Sequence, residues 1–177
     1  MDRKEAISII VKSELVGLSK EMREELLLGW WGIDMSDEEF SLLPMEIQNE
    51  LLQFDEPTED VMHSKYNPLI IEALKYTYLG IRNEYLSEKV RELTEQNIEV
   101  KGEVEVLKSC PCCGYQTIAE RGQYEICSVC HWEDDGIDDL FKYSSPNHMS
   151  IQDYKRLKMK IDEDMSKRYV NSSLEDK

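Results

Sequence analysis

All five cysteines of the chain fall between positions 110 and 130: Cys110, Cys112 and Cys113 in CPCCGY, then Cys127 and Cys130 in CSVCHW. Cys110-x-x-Cys113 and Cys127-x-x-Cys130, thirteen residues apart, have the spacing of two knuckles that point four thiolates at one centre. Four thiolates at about 2.3 Å fill a tetrahedral shell, which suits a structural zinc ion and leaves no position for a substrate. Gly114 follows the first pair and can take the positive φ that such a turn requires, while Pro111 stiffens the turn. Iron fits the same four ligands, as in rubredoxin-like electron carriers. A module embedded in a larger helical chain favours zinc. Cys112 sits inside the first turn with the wrong spacing to chelate beside Cys113; it reads as a packed spare, the alternative being a redox-sensitive thiol. His131 could compete as a ligand but reads as a group outside the four thiolates.

The elements that must position these thiols are mostly helical. Residues 3–18 carry Ala6, Ile7, Ile10, Val11, Leu15 and Leu18 at helical spacing, and Ser19 can cap a second helix running to Gly29. Ser36 and Glu39 form a capping-box pattern, and Pro44 suits the first turn of a helix with Ile47, Leu51 and Leu52. Asn67-Pro68 opens the apolar LIIEALKYTYL, expected to end at Gly80, and Asn83 can cap a further helix. IEVKGEVEVL alternates like a strand, with Gly102 as a turn or bulge. Within the cysteine segment, residues 115–118 and 123–126 are the candidate strands, and Ser150 caps a last helix through Ile161. The expected architecture is α+β: a mainly helical part over residues 1–107, a zinc-ribbon-like hairpin module with a closing helix over 108–170, and a tail over 171–177. Adjacent Trp30 and Trp31 cannot face one interior, so each is expected to pack against a different element.

The blocks CPCCGY, YEICSVCHWEDDG (residues 124–136) and SPNHMS (145–150), in that order, resemble the bacterial cysteine-rich CPCC domain family. Ser128 and His131 stand where the familiar version carries a proline and an aromatic. The resemblance spans roughly residues 108–160 and implies a small zinc-ribbon-like domain. Members are similar to proteins found beside bacterial toxin systems, which implies an immunity role.

Net charge narrows the partners. The chain carries −16, of which −12 lies in residues 1–108, and residues 24–64 hold twelve acidic side chains with no Lys or Arg. Such a field repels nucleic-acid phosphate and anionic lipid, and speeds encounter with a basic protein. No apolar run is long enough to cross a bilayer. The N-terminal stretch reads as an amphipathic helix instead of an export signal, so a reducing cytoplasm is expected, where clustered cysteines bind metal. The leading expectation is a non-enzymatic zinc protein that binds a basic protein, as an immunity or inhibitor protein does. ALKYTYLGIRNEYLSEKVREL followed by IEVKGEVEVL also has the order of a winged helix-turn-helix, yet Glu84, Glu88, Glu92 and Glu95 make its second helix too acidic for a nucleic-acid regulator. Glu133, Asp134, Asp135, Asp138, Asp139 and His148 could form a second, hard-metal or hydrolytic site, but no nucleophile elbow or phosphate loop accompanies them. The alternative is a solvated acidic turn with Trp132 packed over the knuckle.

Overall fold

Asp2 starts the first helix: its carboxylate accepts from Lys4 N at 2.9 Å, and α1 runs Arg3–Gly17. Ser19 caps α2 (Lys20–Gly29) in the same way through Met22 N, as its sequence pattern predicts. In this computed structural model, which describes residues 1–172, a 3₁₀ turn (Glu38–Leu42), α3 (Met45–Gln53) and a second 3₁₀ turn (Ser64–Tyr66) follow. Then come α4 (Asn67–Tyr76), α5 (Asn83–Thr94), two short antiparallel hairpins, α6 (Ile151–Leu157) and α7 (Glu163–Arg168). Strand β1 (Lys108–Ser109) pairs with β2 (Gln116–Ile118), and β3 (Tyr143–Ser144) with β4 (Met149–Ser150). The fold class is α+β, as the sequence indicates. No described helix is long and apolar enough to cross a membrane.

The chain forms two units. The first comprises Met1–Tyr78 with Lys89–Ile98, the second Leu79–Glu88 with everything from Glu99 onward. The expected division at 107/108 therefore falls inside the second unit. The reason is local: Glu105 accepts from Gly80 N at 3.0 Å, Gly102 O from Asn83 at 2.8 Å, and Ser87 Oγ from Val100 N at 2.9 Å. The expected tail beyond 171 reaches the described structure only at Asn171 and Ser172; residues 173–177 lie outside it.

In the first unit α4 buries Leu69, Ile70, Ala73 and Leu74. It packs against α1, which supplies Ala6, Ile7, Ile10 and Val11, and against α2, which supplies Leu27. Trp31 is buried, donates Nε1–H to Phe54 O at 2.9 Å and meets the Tyr66 ring edge-on. Trp30 meets Tyr76 instead, so the two indoles serve different neighbours as expected. The capping box at Ser36 does not form. Its hydroxyl donates to Asp34, the 3₁₀ turn begins after Asp37, and Pro44 is the residue before α3.

Three further local expectations are corrected. Residues 98–107 contain one isolated bridge residue, Lys101, and no strand: Gly102 breaks the alternation at a φ of 144°, and Val106 is 86 % exposed while Val100 is buried. A wing therefore does not follow α5. The helix that opens at Met45 presents Ile47 and Glu50 inward, with Leu52 exposed. The last predicted helix stops at Leu157 and restarts at Glu163, where Asp162 caps α7.

Candidate metal centre

Both cysteine pairs are folded by one backbone device. In the first, Cys110 N donates to Tyr115 O at 2.8 Å and Gly114 N to Cys110 O at 2.9 Å. In the second, Cys127 N donates to Trp132 O at 2.9 Å and His131 N to Cys127 O at 2.8 Å. The residue after each second cysteine is left-handed, Gly114 at φ 83° and His131 at φ 61°. His131 thus takes the part of the first knuckle's glycine. It is exposed and is not among the residues that converge on the centre.

Each knuckle is the tip of its own hairpin. Lys108 and Ser109 face Ile118 and Gln116 around the first, and Ile126 bridges Glu133 around the second, continued by Asp134 N to Glu125 O at 2.9 Å. The expected pairing of 115–118 with 123–126 is therefore replaced by two hairpins. A C-x-x-C turn closes its own flanks, and residues between them are held otherwise: Glu125 accepts from Ala119 N and Glu120 N, both at 2.8 Å.

The hairpins are braced from both sides. Gln116 N donates to Val170 O at 2.9 Å and Ser172 N to Gly114 O at 3.1 Å, laying residues 170–172 along the first hairpin. On the second, Tyr154 of α6 donates its hydroxyl to Cys130 O at 2.9 Å and crosses Trp132 edge-on, and Asp162 N donates to Val129 O at 3.0 Å. Ile118, Val129, Trp132 and Ile151 are fully buried, and Trp132, whose carbonyl closes the second knuckle, packs there against Tyr154 as expected.

These supports bring Cys110, Cys113, Cys127 and Cys130 together, with all four Sγ atoms within 4.8 Å of one another. Cys110 and Cys130 are 3.7 Å apart, Cys113 and Cys127 3.6 Å. A tetrahedron of sulfurs about 2.3 Å from a central zinc has edges of about 3.8 Å, so the thiols already stand at the spacing an ion demands. The donor set fits a soft or borderline divalent metal, and the four thiols could hold one. Their electrostatics point the same way. Hydrogen bonding with Cys110, Cys113, Cys130 and Thr117 holds the Cys127 thiol well below its ordinary range. Cys110 is pushed up, first by hydrogen bonding with Cys113, and Cys130 first by hydrogen bonding with Cys110. Four thiols this close ionise together only when a cation joins them.

Sequence reasoning missed Thr117, whose hydroxyl donates to Cys127 Sγ at 3.0 Å. Only its position four residues past Cys113, in the strand leaving the knuckle, could have flagged it. Cys112 is buried with Sγ 3.8 Å from Met159 Sδ, in keeping with a packed residue. The acidic loop is tied into the fold by its own hydrogen bonds. Buried Asp134 accepts from Arg121 and Gly122 N, both at 2.8 Å, while Arg121 also reaches Asp138. Asn147 exchanges hydrogen bonds with the Glu133 backbone, and Asp135 and Asp139 close local turns. His148 is exposed at a left-handed φ of 57°. Among the described residues the four thiols are the one group of three or more His, Cys, Asp and Glu placed to hold an ion.

Fold and site together define an α+β protein carrying a tetracysteine, metal-capable centre in its C-terminal part. Residues 108–162, about a third of the chain, match the family described as cysteine-rich CPCC, at the segment that holds all four thiols. No curated protein and no solved structure matches the chain.

Proposed function

We propose that the chain is a non-enzymatic protein whose four thiolates hold a structural zinc ion and whose acidic surface binds a basic protein, as an immunity or inhibitor protein binds its toxin. The spacing of the thiols carries the metal half of this reading: pairs at 3.6 and 3.7 Å already match the edge of a zinc tetrahedron. Zinc stabilises the second unit because short hairpins bury too little apolar surface alone, and metal binding contributes directly to folding.

The acidic run supports the partner half. Of its twelve carboxylates, Glu50 pairs with Lys65 and Asp60 with Lys20; the other ten form no ion pair among the described residues. An unneutralised field of this sign raises the association rate with a cationic protein and penalises nucleic acid.

Elemental analysis of the purified chain is expected to find one zinc per molecule, and Cys127→Ser is expected to lose it and open residues 108–172 to protease. Tagged protein in cell lysate is expected to capture a basic protein at low salt and release it as salt rises. Absence of stoichiometric metal refutes the first half, and capture that is absent or indifferent to salt refutes the second.

A further inference from the structure

The hairpin that carries the second knuckle has an outer face that neither the thiols nor the core uses. Cys127, Trp132 and Asp134 are buried, while Ile126 is 62 % exposed and stands directly across from Glu133. Side chains opposed in this way lie on one side of a sheet, within reach of each other. Tyr124, two residues before Ile126, occupies a bulge. Its N–H donates to Asp134 O at 2.9 Å while Asp134 N–H donates to Glu125 O at 2.9 Å, so two residues oppose one, and Tyr124 is left-handed at φ 62°. A bulge of this kind normally puts glycine there. The chain does use glycine at two nearby left-handed positions, Gly122 at φ 79° and Gly136 at φ 81°. At 124 it keeps a tyrosine, 61 % exposed, whose side chain forms no hydrogen bond or ring contact among the described residues. Packing does not account for a large ring held in water on a strained backbone; a contact surface does.

Charge names the occupant. Residues 122–141, bounded by Arg121 and Lys142, hold six carboxylates and no Lys or Arg. Arg121 neutralises two of them, Asp134 at 2.8 Å and Asp138 at 2.7 Å, and the other four form no ion pair among the described residues. Glu125 spends its carboxylate on the N–H groups of Ala119 and Glu120, Asp135 on Ile137 N and Asp139 on Phe141 N. Glu133 alone of the four keeps its carboxylate uncommitted, and it is the one opposite Ile126. We propose that this face docks a lysine or arginine side chain from an exposed segment of a basic protein, with the cationic head over the Tyr124 ring and against Glu133 and the aliphatic stem along Ile126. The inference rests on the basic-partner half of the function proposed above and not on the metal half.

The test titrates the isotope-labelled full chain at low salt with a capped tetra-arginine peptide and with its uncharged counterpart, capped tetra-citrulline, following amide shifts by NMR. Tetra-arginine is expected to move Tyr124, Ile126 and Glu133, and tetra-citrulline to leave them in place. Tyr124→Leu is expected to weaken the affinity read at Ile126 about two- to fivefold, Tyr124→Phe to restore it, and Glu133→Gln to weaken it by a similar factor. An unmoved Trp132 indole signal in each variant shows that the hairpin is intact. Shifts confined to residues 24–64 overturn this site and leave the basic-partner reading standing. Equal shifts with both peptides overturn the role of charge, and equal affinities of the Tyr124, Leu and Phe proteins overturn the role of the ring. No shift anywhere with tetra-arginine overturns the site, and only salt-indifferent or absent capture from lysate sinks the partner reading with it.

Discussion

Replacing Glu50 by glutamine should cost the first unit about 3 kcal/mol at neutral pH and far less in acid. Glu50 lies on α3, 7 % exposed, amid a run of carboxylates that mostly face water. Its Oε1 accepts from Thr58 Oγ1 at 2.6 Å, Tyr66 OH at 2.8 Å and Thr58 N at 3.0 Å, and Lys65 Nζ stands 3.0 Å from Oε2. Burial opposes the charge, but the bonds from Thr58, Tyr66 and Lys65 outweigh it and bring the carboxyl from 4.5 to about 2. A folded pKa below the unfolded one means the stabilisation is complete above about pH 4.5 and drains away as pH falls toward 2. The gap of roughly 2.5 units at about 1.4 kcal/mol each gives about 3 kcal/mol. The cysteine cluster belongs to the other unit, so the measurement must report the first unit alone. The indole N–H of Trp31 does so, since it donates to Phe54 O and its ring meets Tyr66. Followed by NMR in urea titrations at pH 7, 4 and 2.5, wild type and Glu50→Gln should differ by about 3 kcal/mol at pH 7 and by less than about 1 kcal/mol at pH 2.5. A difference under about 1 kcal/mol at pH 7, or one that acid leaves unchanged, would refute the reasoning.

Two changes test the centre. His131→Gly relieves a left-handed φ of 61° and should make the second knuckle up to about 1 kcal/mol more stable, read as a higher chelator concentration at the midpoint of metal loss. An unchanged or lower midpoint would mean the histidine side chain contributes something its exposure hides. Thr117→Val removes the hydroxyl donor to Cys127 and should weaken metal binding about tenfold, with Thr117→Ser restoring it; equal affinities in all three proteins would make that contact incidental.

How much of this could be read from the residues depends on the range over which each feature is decided. The convergence of the four thiols is legible because a C-x-x-C turn is closed within five residues, and the caps at Ser19 and Ser150 because one side chain meets a backbone N–H three positions on. The strand partners are not. The sequence offers residues 115–118 and 123–126 as strands equally well, and only closure of each knuckle on itself decides that they do not pair. Glu50 is hidden for a similar reason: nothing local separates it from Glu46, and its donors arrive from eight and sixteen residues away.

His131 shows where residue type misleads and backbone geometry does not. Beside Cys130 it looks like a ligand, since imidazole binds the metals that thiolates bind. Yet its N–H donates to Cys127 O just as Gly114 N–H donates to Cys110 O, and both residues sit at positive φ. For glycine that backbone costs nothing; for histidine it costs about 1 kcal/mol, and the exposed ring forms no hydrogen bond or ion pair among the described residues that would repay it. The strain must therefore be balanced elsewhere in the turn, and what the turn holds in place is Cys127 and Cys130. A conformation kept at a cost by a residue whose own side chain gains nothing marks what the surrounding structure requires, which here is four sulfurs at a metal's spacing.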